Sequence, residues 1–178
     1  MMQTVKIKRF FFRCAVWTVL FTVTACTADE TIRNAGFESG EIAPWKSHGC
    51  SVSVVSSRPH SGRYHLQLKS DGSPETWATA SQQQPAAAGQ KWQASIYALC
   101  KNGVYVLLKL EFRDADGKLL AEFTSTGTES EYMPLLTEGT APEGTALVRL
   151  VAAVEFGVAY DPVLGYFDDA SLQKISAD

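Results

Sequence analysis

The residues most able to do chemistry in this chain are carboxylates. Glu38 stands in "NAGFESGEIAPW" (34–45), between a Gly-Phe and a Ser-Gly pair, and Asp168 and Asp169 stand together in "GYFDDASL" near the far end. Such oxygens can ligate a hard cation, work as general acid and base, or solvate a turn. Adjacent residues of a strand point to opposite faces, which argues against Asp168 and Asp169 as one acid/base pair. Glu129 and Glu131 form a second close pair, but no catalytic partner can be named for it. The histidines, His48, His60 and His65, lack metal-motif spacing, and G-x-S-x-G, H-E-x-x-H and the P-loop are absent. "DADGKLLAE" (114–122) lacks the third acidic position and the length of an EF-hand and reads as a hairpin turn. The expectation is a non-catalytic protein, with Glu38 either a hydrogen-bonded turn carboxylate or a metal ligand.

The elements that must position these groups are strands. After Thr31 no helical period appears, and alternating or β-branched stretches recur between turns rich in Gly and Pro. Strands are predicted near 32–38, 50–57, 64–70, 77–84, 91–99, 104–113, 118–125, 131–137, 145–156 and 164–174. Ten short strands predict an all-β, two-sheet antiparallel β-sandwich. Alternation places Trp92, Ala94, Ile96 and Ala98 inward, with Gln93, Ser95 and Tyr97 outward. It likewise buries Val106, Leu108, Leu110 and Phe112 against an outer set of Tyr105, Leu107, Lys109 and Glu111. In "TALVRLVAAVEF" the inward set is Ala146, Val148, Leu150, Ala152, Val154 and Phe156, and the outer set is Leu147, Arg149, Val151, Ala153 and Glu155. If these three strands share a sheet, its outer face suits a polar ligand with apolar patches.

Residues 1–26 carry Lys6, Lys8, Arg9 and Arg13 ahead of an apolar run, with no acidic residue, the layout of a secretory signal. That run of about a dozen residues is shorter than the roughly 20 a membrane-spanning helix needs. Its end, "VTAC", resembles the lipobox of bacterial lipoproteins. The resemblance implies a cleaved signal peptide over 1–26, acylation of Cys26, including palmitate, and a short tether over 27–31. The domain over 32–178 would then sit in the bacterial envelope. Thr27 in place of Asp favours the outer membrane in that pattern. The chain after position 26 keeps 12 basic and all 19 acidic residues, about −7 in charge, which excludes a nucleic-acid partner. Cys50 and Cys100 remain, either as a disulfide or as two unpaired buried thiols.

Four ordered stretches resemble the CenC-like carbohydrate-binding modules: "NAGFESGEIAPW", "HSGRYHLQL" from His60, "QQQPAAAGQKWQASIYAL" from Gln82, and "GYFDDASL" from Gly165. The resemblance implies a jelly roll of the galactose-binding-domain-like kind and a structural calcium. It points to Glu38 and Asp168 as carboxylate ligands, with carbonyls near Asn34, Gly36, Ser61 or Arg63. It also implies a polysaccharide or glycan as ligand, with Trp77, Tyr97 and Tyr105 as stacking candidates and Gln93, Lys109, Glu111, Arg149 and Glu155 as polar partners. The expected function is non-catalytic carbohydrate binding by an envelope-anchored lipoprotein, beside a separately encoded glycoside hydrolase or on its own. An envelope protein–protein interaction module on the same fold is the alternative, and a cryptic glycosidase is the third reading.

Overall fold

The computed structural model describes residues 32–49, 51–70, 78–101, 105–155 and 164–176. Ten strands run through them: β1 Lys46–His48, β2 Ser51–Val55, β3 His65–Lys69, β4 Ala78–Pro85, β5 Lys91–Lys101, β6 Tyr105–Arg113, β7 Leu119–Gly127, β8 Met133–Thr140, β9 Leu147–Glu155 and β10 Leu164–Ile175. The first sheet has the order β1-β4-β9-β6-β7 and the second β2-β3-β10-β5-β8, with antiparallel pairs throughout. No helix occurs among the described residues. The expected two-sheet antiparallel sandwich is the observed fold.

The core lies between the sheets and is built by alternation. Every second residue of β5, β6 and β9 points inward, so Trp92, Ala94, Ile96 and Ala98 meet Val106, Leu108, Leu110 and Phe112 and the Val148–Val154 series. Phe37, Phe112 and Phe167 are wholly buried and supply much of the packed apolar volume. Gly165 sits where the sheets press together. A Cβ there would come within 2.6 Å of Val154 and 3.0 Å of Val106.

Three sequence-based expectations are corrected. Residues 32–38 are turn, not strand. The Asn34 side chain donates to the carbonyls of Glu41 (2.9 Å) and Ala43 (3.1 Å), its Oδ1 accepts from Ser39 N–H, and its carbonyl accepts from Phe37 N–H. Asn34 and Phe37 take positive φ, and these local bonds outcompete a ladder. The first strand is β1 instead. Second, β5 does not share a sheet with β6 and β9, because periodicity reports which side of a strand is apolar and not which strand lies beside it. Third, Leu107, Val151 and Ala153, expected on a solvated outer face, are buried in a small second apolar cluster.

Candidate functional site

The carboxylates converge at one corner of the sandwich. Both oxygens of Glu38 accept the Arg63 N–H at 3.0 Å, and one also accepts the Tyr64 N–H at 3.0 Å. Gly62 has φ +58°, and a Cβ there would overlap the Glu38 carboxylate, so the turn tolerates the acid only because position 62 is glycine. From β10, Asp168 Oδ2 accepts the N–H groups of His60 (2.9 Å) and Ser61 (3.1 Å), while Oδ1 accepts the Asp169 N–H (2.9 Å). Asp169 holds the same turn through its side chain, at 2.8 Å from Ser61 Oγ and 2.7 Å from His60 Nδ1.

That last arrangement overturns the expectation that Asp168 and Asp169 face opposite ways. The register of β10 against β5 shifts between Asp168 and Ser171, and Asp169 has φ +49°. The bulge breaks the alternation and brings both acids onto one turn. A Cβ on Gly36 would lie 3.3 Å from Asp169 Oδ1 and 3.6 Å from Asp168 Oδ1, which puts the 34–41 turn against the same pair. Asp168 is fully buried, and its pKa is pushed up to about 6. Burial is the main cause; the Asp169 charge adds to it, while the N–H groups of Ser61, Asp169 and His60 oppose it.

The structure thus brings Gly36, Glu38, Ser61, Arg63 and Asp168 to one corner, with Asn34 tying the adjoining turn. His60 and Asp169 belong to it as well, though neither was expected as a site residue. The carboxylates of Glu38 and Asp168 are ligands of the kind a hard cation takes, and in this structure their oxygens accept backbone N–H groups. Among the described residues no three His, Cys, Asp or Glu side chains form a ligand group, so an ion here would draw on backbone oxygens as well.

A second site lies on the outer face of the first sheet. Its groove of about 520 Å³ is lined by Arg33, Pro44, Lys46, Ser81, Gln82, Gln83 and Arg149. The register aligns Gln83 with Arg149 and Arg149 with Glu111, so three neighbouring strands present polar groups side by side. Glu111 is nearly buried and binds Arg113 at 2.9 Å, and Arg149 lies 3.7 Å away. Arg113 donates to the Gly117 carbonyl (2.7 Å), and Arg149 donates to Ser81 Oγ (2.9 Å). These contacts fix both guanidiniums before any ligand arrives. Lys109 pairs with Glu122 at 3.1 Å on the same face, Tyr105 is 45% exposed at the start of β6, and the backbone of Glu155 is its cross-strand partner.

The candidate ligand residues therefore divide. Tyr105, Lys109, Glu111 and Arg149, with Glu155 by its backbone position, belong to the first sheet. Gln93 and Tyr97 lie on the opposite face of the molecule. Gln93 donates to Glu138 at 2.6 Å, and the Tyr97 ring stacks on His60 at 3.7 Å. A single sugar surface containing all of them is not what the fold builds. Trp77, Cys26 and Cys50 lie outside the described residues, so a Cys50–Cys100 bond does too; Cys100 is buried. Arg33, Lys46, Ser81 and Gln83 were missed, although the "SQQQ" run was a visible signal of a polar strand face.

Residues 29–160 match the family model described as "Carbohydrate binding domain". Among solved structures, the chain is similar to the enzymatically active domain of tailspike protein 4 from bacteriophage CBA120 (TM-score 0.65, 15% identity), covering 82% of this chain but only 21% of that one. It is similar to TmCBM61, solved in complex with beta-1,4-galactotriose (TM-score 0.59, 22% identity, 82% and 99% of the two chains). A third likeness is to the CBM22-1 xylan-binding domain of Xyn10C from Paenibacillus barcinonensis (TM-score 0.60, 16% identity, 81% and 94%). At these identities the likeness shows the fold. No curated protein matches the chain.

Proposed function

Because this chain belongs to the carbohydrate-binding domain family, we propose that it binds a polysaccharide, without turning it over, along the outer face of the first sheet. The observation that carries this reading is the preorganised set of Ser81, Glu111, Arg113 and Arg149 beside a groove of about 520 Å³. Sugar hydroxyls both donate and accept. Guanidiniums supply donors, Gln83 and Ser81 supply both, and side chains already held in place lose little rotamer freedom on binding. The exposed Tyr105 ring offers a platform for the C–H face of a pyranose. Two structurally similar modules are described with galactotriose or as xylan-binding, which supports a β-linked chain as the first ligand class to try.

Isothermal titration against xylan and galactan oligosaccharides tests the reading. Arg149→Ala is expected to weaken binding by at least about tenfold, the loss of one charge-assisted hydrogen bond, with the fold retained. Unchanged affinity in that variant, or no binding across both series, would overturn it.

We further propose a structural calcium at the corner, held by Glu38 and Asp168 with backbone carbonyls near Asn34, Gly36, Ser61 or Arg63. Its role there would be to neutralise the buried carboxylate and tie the 34–41 and 58–64 turns to β10. The lipobox-like "VTAC" supports acylation at Cys26 and attachment to the bacterial outer membrane. Mass spectrometry of the membrane fraction is expected to find the lipid on that residue.

A further inference from the structure

The opposite face of the sandwich carries a small cavity that neither the groove nor the corner uses. It measures about 90 Å³ and is lined by Ser57, Arg58, His65, Lys101, Ser130 and Tyr166, over a floor from Leu99. Ser57 and Arg58 come from the β2–β3 turn, Ser130 from the β7–β8 turn, and the others from β3, β5 and β10. At about 90 Å³ the cavity is much smaller than the groove of about 520 Å³ on the first sheet.

Its polar groups are biased toward donors. Arg58 and Lys101 are cationic and the two serine hydroxyls can donate. His65 is 1% exposed, stacks on Tyr166 at 5.1 Å, and bonds the Tyr132 hydroxyl through Nδ1. Its Nε2 has no hydrogen-bond partner among the described residues. Lys101 lies 5.3 Å over the Tyr166 ring, and Arg58 pairs at the surface with Glu131 at 3.4 Å. Among the described residues no carboxylate lines the cavity.

We propose that this cavity is a second ligand site, which takes the carboxylate of a uronic-acid residue, with Lys101 and Arg58 as its cationic partners and the sugar hydroxyls facing the exposed Ser57 and Ser130 side chains. The carboxylate would draw Arg58 away from Glu131, exchanging a solvent-exposed ion pair for a more enclosed one. The site stands apart from the proposed groove, since the whole apolar core separates the two outer faces.

The test is a titration of the protein with sodium glucuronate, followed by NMR on the side chains of His65 and Tyr166, beside parallel titrations with glucose and with acetate. Glucuronate is expected to give saturable shifts at both rings and to bind more tightly than acetate, and glucose to give none there. Lys101→Met should weaken glucuronate binding by about tenfold and Arg58→Gln should weaken it in the same direction, while Arg149→Ala leaves it unchanged. Glucose or acetate matching glucuronate, the absence of saturable shifts at His65 and Tyr166, or indifference to both Lys101→Met and Arg58→Gln would overturn the proposal. Loss of groove binding in Arg149→Ala with glucuronate binding intact separates the two sites.

Discussion

Asp168 is the residue under most electrostatic tension. Its folded pKa of about 6 lies above the usual carboxylate value of 3.8, so the folded state prefers the protonated form. Its contribution to stability is therefore fully present below about pH 3.8 and is lost as pH rises through about 6. In chelator, the melting temperature of the protein is expected to fall more between pH 4 and pH 7 than that of Asp168→Asn, and saturating calcium is expected to remove or invert that difference. Equal slopes for the two proteins in chelator would contradict the assignment. Glu38 carries a different load, since it anchors the 60–64 turn by accepting the Arg63 and Tyr64 N–H groups. Glu38→Ala removes the acceptor from N–H groups that water can reach and is expected to cost about 1 kcal/mol in denaturant unfolding. At this scale the sequence was partly readable. The "GFE", "HSG" and "FDD" motifs named the corner, but the positive φ that turns Asp169 beside Asp168 has no signature in residue type.

Among the elements, alternation was legible wherever one side of a strand is apolar throughout, as in β5, β6 and β9. Partnership was not. The same pattern in β5 and β9 left open whether they pair, and they lie in opposite sheets, which splits Gln93 and Tyr97 from Arg149 and Glu111. Nor was the 34–41 turn legible as a turn, because its bonds run from the Asn34 side chain to backbone several residues away, where a strand reading expects a ladder. β10 carries the most structural weight, joining β3 to β5, reaching the corner through its bulge, and packing Gly165 against β6 and β9. Gly165→Ala places a methyl group 2.6 Å from Val154 and is expected to destabilise the domain by about 1–3 kcal/mol without altering ligand affinity in the surviving fold. A chemical-denaturation midpoint equal to that of the unsubstituted protein would show that the sheets can part more easily than their packing indicates.

Across the whole molecule, the core divides two chemically different outer faces. The first sheet offers a long groove with arginines held in place, and the second a small donor-rich cavity beside stacked aromatic and histidine rings. Because no side chain is shared between them, the effects of Arg149→Ala and Lys101→Met on their respective ligands are expected to be independent within about 0.5 kcal/mol in a double-mutant cycle. The most direct test of the account is an amide NMR titration with a xylan or galactan oligosaccharide that binds. The account predicts saturable shifts concentrated at Ser81, Gln83, Glu111 and Arg149. Shifts confined to the second sheet, or to the Glu38–Asp168 corner, would contradict it.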